Sequence, residues 1–526
     1  MTVRRLRLAR WVAASAVAVT LVSGCTVSSD SSNAVAVSST SSTEAATAGE
    51  SGGATAGAPA TAGATAGGAA GGTAAGATTG AAETASASST GTVDSSPASS
   101  GPTSTSTAAS TGNLQTSATA TPAQADQVVE NAIKDVEQYW TTEYPKLSGG
   151  KPFQRITGGY HPYTKTKLPP ACGQEPAQYQ ANAFYCPQGD FIAWDSQVLI
   201  PELMSSFGPL LVGVVIAHEY GHAIQARLGI AQQPTIVLEQ QADCFGGAWV
   251  GDVQAGHSSF GTITPQQLDN TLAGLLELRD QPGTAAQAQQ AHGNAFDRIR
   301  ALQDGVEGGA APCAKYSASN LQVTEVPFTS QQDAASGGDP PSYQDTLTVL
   351  TQSLQSYWSQ AFPELDPGHQ WKALSIRPFD PASPPSCQGR VPPDPGAAET
   401  AFYCATGDYA AFDSAQLGPA LYQRIGDNAV GMLLGSLFAQ AAQHRRGEAS
   451  TGRAGQLEVD CLAGTWTNEL LTGSGADDIQ LSPGDLDEAV TALLVFNRAN
   501  ESGGVSGFDR IASFRKGTLQ GLPGCA

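Results

Sequence analysis

Apolar and polar positions alternate along this chain on several distinct periods, and each period predicts a different element. Pro209 to Ala217 (Pro-Leu-Leu-Val-Gly-Val-Val-Ile-Ala) is apolar nearly all round, as expected of a helix running through the centre of a domain rather than over its surface. Ala183 to Cys186 and Phe191 to Trp194 are short apolar or aromatic runs around Pro187-Gln188-Gly189-Asp190, which predicts a hairpin. A helical pattern runs through Tyr139-Trp140, another covers about Pro265 to Arg279, and Glu239 and Asp243 share one face of a third. Many helices and few strands make the expected class α+β and helix-dominated.

The ends behave differently. Arg4, Arg5, Arg7 and Arg10 precede an apolar run from Trp11 to Val22 that closes on Leu21-Val22-Ser23-Gly24-Cys25. This predicts a secretory signal over residues 1–24, with small residues before a cysteine like those of a lipobox. The run is too short for a stable membrane span. The expectation is an exported protein, lipid-anchored through Cys25 to the outer face of the bacterial cell membrane. Residues 25–123 are almost entirely Ala, Thr, Ser and Gly and contain no Lys, Arg or aromatic side chain, so they are expected to form a disordered tether.

The remainder repeats itself. Tyr139-Trp140 recurs as Tyr357-Trp358, Phe184-Tyr185-Cys186 as Phe402-Tyr403-Cys404, and Phe296-Asp297-Arg298-Ile299 as Phe508-Asp509-Arg510-Ile511. The expected organisation is a domain over 124–320, a Gly/Pro/Ser-rich linker over 321–342 and a second copy over 343–526. The nine cysteines divide as Cys25 plus four per copy, and in an exported chain disulfides persist. The pairs expected are Cys172–Cys186, Cys244–Cys313, Cys387–Cys404 and Cys461–Cys525.

Candidate chemistry sits in His218-Glu219-Tyr220-Gly221-His222. Residues i and i+4 of a helix are stacked neighbours, so His218 and His222 can grip one Zn²⁺ while Glu219 stands beside the ion's open position as general base. Glu239 is assigned as the third ligand, and Asp243 to the outer N–H of one of the histidines. The same positions of the second copy hold Ser436, Leu437, Gln440 and Gln456, with Asp460 still matching Asp243. A set of Ser and Gln side chains has almost no affinity for zinc, so one Zn²⁺ per chain is expected, in the first copy alone, and the second copy reads as a pseudopeptidase.

His-Glu-x-Gly-His followed by Glu-x-x-Ala-Asp-Cys and the small-residue run Phe245-Gly246-Gly247-Ala248-Trp249 resembles the putative neutral zinc metallopeptidase family, a gluzincin-like group, over roughly residues 124 to 313. The resemblance implies a zincin-like fold in which an edge strand beside the metal pairs with extended peptide, and the strand beginning at Phe191 is the candidate. Related membrane-type gluzincins carry a His-Pro-x-x-x-x-Arg-Ile segment whose histidine stabilises the oxyanion. Here His292-Gly293-Asn294-Ala295-Phe296-Asp297-Arg298-Ile299 is similar, with glycine in place of proline. His292 is therefore expected to be catalytic, whereas Arg298, which the second copy keeps as Arg510 while Gly504 stands at the histidine position, is expected to hold the fold.

The function expected is a cell-envelope zinc metallopeptidase acting on a peptide or protein. The alternatives are an envelope binding or scaffold lipoprotein braced by a structural zinc, and a zinc amidase acting on peptidoglycan, since the chemistry at the carbonyl is shared. A net charge of −21 argues against nucleic acid as a partner.

Overall fold

The computed structural model describes residues 119–525 apart from 170–171, 173–178, 287, 289–290, 325, 329, 339, 341, 393–399, 449–450, 476–478 and 497–503. The expected leader over 1–24, the lipidation site Cys25 and nearly all of the 25–123 tether lie outside the described residues.

Order begins with α1 (Pro122–Leu147), whose start is fixed by local chemistry: Thr121 and Gln124 form a reciprocal capping box and a proline stands at the first turn. Three short strands follow, β1 (Gly159–Tyr163), β2 (Ala183–Cys186) and β3 (Phe191–Asp195), then α2 (Leu199–Phe207), α3 (Pro209–Leu228), α4 (Thr235–Gln254), α5 (Pro265–Glu277) and α6 (Ala295–Gly308). Helix α3 starts on Pro209 and stops at Gly229, which takes the left-handed conformation (φ 72°) that a residue without Cβ adopts at no cost. It is buried continuously from Leu210 to Gln225, as its all-round apolar sequence requires. Helices α4 and α6 cross backbone to backbone, because a Cβ on Gly305 would lie 1.9 Å from the Cys244 carbonyl oxygen and one on Gly247 would lie 2.0 Å from that of Leu302.

The sheet order is β1-β3-β2, with β2 antiparallel and β1 parallel to β3. The expected hairpin is present, turning through Asp190 at φ 46°. The strand beginning at Phe191, however, is central and not an edge, because Gly159-Tyr160-His161-Pro162-Tyr163 pairs along its other side. A segment carrying both Gly and Pro gives no strand pattern, so β1 was invisible to periodicity. The edge that faces α3 is β2.

After α7 (Ala310–Cys313) and α8 (Gln331–Ser336), the chain runs through α9 (Tyr343–Leu365), β4 (Ser375–Phe379), β5 (Arg390–Val391), β6 (Ala401–Cys404), β7 (Tyr409–Asp413), α10 (Leu417–Arg424), α11 (Asp427–Arg445), α12 (Gly452–Thr472), α13 (Asp485–Phe496) and α14 (Gly507–Gln520). Strand β4 pairs parallel with β7 and β6 pairs antiparallel with it, while β5 adds a further strand on the outer side of β6. Gly517 and Gly464 again bring two helices, α12 and α14, into backbone contact.

One apolar cluster runs through both halves, and Phe296 of α6 meets Phe514 of α14 edge to face, their ring centres 6.2 Å apart. The stretch between them is tied down as well: Thr324 donates to Asp297 from its backbone N–H (2.8 Å) and its hydroxyl (3.0 Å). Disulfides join Cys172 to Cys186, Cys244 to Cys313, Cys387 to Cys404 and Cys461 to Cys525. Among the described residues no helix is long and apolar enough to cross a membrane.

Candidate metal centre

The i, i+4 spacing on α3 does what helical geometry demands: the Nε2 atoms of His218 and His222 lie 3.2 Å apart. Helix α4 comes close enough to add a third donor because Gly221 leaves room for Ala242, whose Cα would be 2.8 Å from any Cβ there. Glu239 Oε2 is then 3.3 Å from His218 Nε2, and Oε1 is 3.5 Å from His222 Nε2. The group is buried, with Glu239 only 1% exposed, and both its carboxylate oxygens lack a hydrogen-bond donor.

Both outer imidazole nitrogens are engaged. His218 Nδ1 is 2.8 Å from Asp243 Oδ1, and His222 Nδ1 is 2.9 Å from Gln225 Oε1, whose own amide donates to the Leu238 carbonyl at 2.6 Å. A carboxylate and an amide oxygen can only accept, so each Nδ1 carries a proton, and in the neutral rings both Nε2 atoms present lone pairs to one another and to Glu239. With both imidazoles neutral, a bound cation would satisfy the three converging acceptors in this buried space. A tetrahedral ion about 2.0–2.1 Å from each donor would space the donors roughly 3.3 Å apart, which the three observed separations bracket. The residues present therefore fit zinc.

The charge balance points the same way. Burial pushes the His218 imidazole towards its neutral form, yet Asp243, Glu239 and Glu219 outweigh it and raise its pKa to about 10. The surroundings are thus strongly anionic and favour positive charge. Burial pushes the Asp243 carboxyl up, but Arg298 and His218 more than offset this and hold it below the ordinary range. Arg298 is the larger partner: it grips Asp243 with two hydrogen bonds, from Nε (2.8 Å) and Nη2 (2.9 Å). Burial raises the pKa of Glu219, partly offset by His218 and His222. Its Oε2 accepts from the Tyr185 backbone N–H at 2.8 Å, so β2 fixes the direction of the carboxylate beside the imidazoles.

His292 is buried, at 4% exposure, and close enough to Glu239 to bias its ionisation. Asp280 holds it, accepting from the His292 and Gly293 backbone N–H groups at 2.7 and 2.8 Å and lying 3.3 Å from Nδ1. A small cavity opens beside His218 and Glu219, with Val214, Val215, Leu275 and Leu278 as its apolar walls.

Three of these groups escaped the sequence reading. Gln225 was within reach, since i+3 from His222 places it on the same helical face. Asp280 lies on another segment from His292 with no diagnostic spacing, and a backbone donor such as that of Tyr185 has no residue type to notice. In the C-terminal half, Ser436 turns its hydroxyl back to the Met432 carbonyl (2.8 Å), and Gln440 donates to the Pro392 carbonyl (3.0 Å). Asp460 and Arg510 keep the doubly bonded pair seen between Asp243 and Arg298.

Residues 48–314 match the family described as putative neutral zinc metallopeptidase. The protein Rv2575 of Mycobacterium tuberculosis, described as uncharacterized, is 27% identical over 231 residues, 38% of this chain and 75% of that protein. YpfJ of Escherichia coli K12, also described as uncharacterized, is 25% identical over 214 residues, 36% of this chain and 70% of that protein. No solved structure matches.

Proposed function

The chain belongs to the putative neutral zinc metallopeptidase family, and from that premise we propose that it hydrolyses peptide bonds at the centre formed by His218, His222 and Glu239. Zinc, when bound there, supplies Lewis-acid activation of water and polarisation of a carbonyl. Glu219 takes the proton of the attacking water and delivers it to the leaving amine, a shuttle that needs its carboxylate directed at the centre, as its bond to Tyr185 directs it. His292, held by Asp280, donates to the carbonyl oxygen as negative charge develops on it.

The observation that carries this reading is the buried group of two imidazoles and the Glu239 carboxylate, with a second buried carboxylate, Glu219, beside it and outside the group. A purely structural zinc site needs four closed ligands and no such base. The test is Glu219→Gln in the full chain, with metal content by mass spectrometry and cleavage of a peptide library measured together. Zinc should stay stoichiometric and cleavage disappear; cleavage at the wild-type rate would overturn the mechanism.

The same proposal places the enzyme in the cell envelope, exported by the leader and anchored through Cys25, with the tether giving it reach. It also takes the C-terminal half as a duplicated, degenerate copy. The repeated sequence landmarks, the matching strand registers and the shared Asp–Arg pair support that origin.

A further inference from the structure

The two halves meet through a reciprocal exchange of aspartates. Asp487 of α13 accepts from the Phe296 backbone N–H at 3.0 Å, at the start of α6. Asp269 of α5 accepts from the Gly507 and Phe508 backbone N–H groups at 3.0 and 2.9 Å, at the start of α14. Each half thus caps the same kind of helix start in the other, where an anionic side chain satisfies N–H groups and meets the positive end of the helix. Phe296 and Phe508 are matching residues of the repeated Phe-Asp-Arg-Ile segment, so the contact has the self-complementary form of a two-fold interface.

The consequences for the two halves differ. Asp487 also pairs with Arg279, its Oδ2 lying 3.1 Å from Nε. Arg279 directly precedes Asp280, and Phe296 follows shortly after His292. Asp280 in turn bridges the segments, binding the His292 and Gly293 N–H groups while its own N–H donates to the Gly293 carbonyl at 3.1 Å. One carboxylate from the C-terminal half therefore grips both segments that carry the Asp280–His292 pair. A cleft beside it is lined from both halves, by Asp280 and Asn294 on one side and Ser482, Gly484 and Asp487 on the other. Asp269 grips the start of α14, where the preceding segment has Gly504 at the histidine position.

We propose that Asp487 is a positioning residue for His292, so that the C-terminal half completes the active site of the N-terminal half. The proposal rests on the peptidase reading for its effect on rate, but the clamp itself does not. The paired aspartates provide the test within one full-length chain, since Asp487→Ala and Asp269→Ala remove equivalent contacts between the halves. Amide hydrogen exchange read by mass spectrometry should rise on the order of tenfold in the segment from Arg279 to Arg298 for Asp487→Ala, and at the start of α14 for Asp269→Ala. Asp487→Ala should lower kcat on the order of tenfold or more with KM and zinc content unchanged, while Asp269→Ala keeps wild-type kcat.

Equal kcat in the two variants would reduce Asp487 to a structural cap and overturn the proposal, as would unchanged exchange around His292. If Asp487→Ala does not fold, Asp487→Asn, which keeps an acceptor for Phe296 and loses the charge opposite Arg279, is held to the same kcat and exchange criteria. A wild-type chain that cleaves nothing would sink the peptidase reading and the rate effect with it, whereas the exchange measurement would still decide whether the clamp exists.

Discussion

Gln225 and His292 act on opposite ends of the chemistry, so their variants separate metal binding from turnover. Gln225 accepts the His222 Nδ1 proton and is itself held by the Leu238 carbonyl, so it fixes which imidazole nitrogen faces the metal. Gln225→Leu strands that N–H in a buried site, and zinc affinity, measured by competition with a chromophoric chelator, should fall roughly 10–100-fold. Unchanged affinity would mean the imidazole is oriented by α3 alone. The place of His292 is set by Asp280. His292→Ala should leave the chelator titration unmoved and lower kcat on the order of 10²-fold, as loss of one oxyanion donor does. Intact kcat would return His292 to a packing role. Arg298 belongs between these classes, because its bidentate hold on Asp243 acts on His218 from a distance. Asp243 was expected on an outer histidine N–H and Arg298 in the fold; that the two would grip each other, as Asp460 and Arg510 do, was not expected.

At the scale of elements, the site depends on how closely helices approach. Helix α4 carries Glu239 and Asp243, α6 carries Arg298, and the two touch at Gly247 and Gly305. Gly305→Ala would drive a methyl against the Cys244 carbonyl, which is backbone and cannot swing aside. The helices must separate, and the expected loss is about 1–3 kcal/mol or more, read as a fall in the urea midpoint with an unchanged slope. Gly435→Ala on α11 is the contrast, because its methyl would meet nothing nearer than Ala463 Cβ at 3.7 Å, an ordinary contact. In a helix interior that change should be neutral or mildly stabilising. Similar losses in both variants would show that helix propensity, not the close crossing, governs these positions.

The long apolar helix, the hairpin and the zinc-type pattern were legible because each is written in local spacing. What stayed hidden was decided by partners distant in sequence. Pro162 masked β1 and so made Phe191 look like an edge, and Asp280, Asp269 and Asp487 are acidic residues on amphipathic or irregular segments, where sequence alone shows only polarity.

Across the whole molecule, the two halves share sequence landmarks and an Asp–Arg pair but differ in what they offer a metal. In the N-terminal half two imidazoles and an unbonded buried carboxylate converge; in the C-terminal half Ser436, Leu437 and Gln440 on α11 and Gln456 on α12 offer no anion and no imidazole. Yet the Asp460–Arg510 pair, the Cys461–Cys525 disulfide and the glycine crossing of α12 with α14 hold the same framework. That framework therefore stands on packing, ion pairing and disulfides that need no metal, unlike small domains whose folding energy is their metal-binding energy. Two outcomes follow for the purified full chain without added metal. Wild type should carry one zinc per chain, and His218→Ala/His222→Ala should carry none while keeping its far-ultraviolet circular dichroism. Removing zinc from wild type should lower the unfolding free energy only by the binding linkage, approximately RT ln(1 + [Zn]/Kd), which shifts Tm without abolishing the cooperative transition. A second equivalent of zinc surviving the double substitution would place metal in the C-terminal half, and loss of helical structure on chelation would make zinc a structural requirement of the fold.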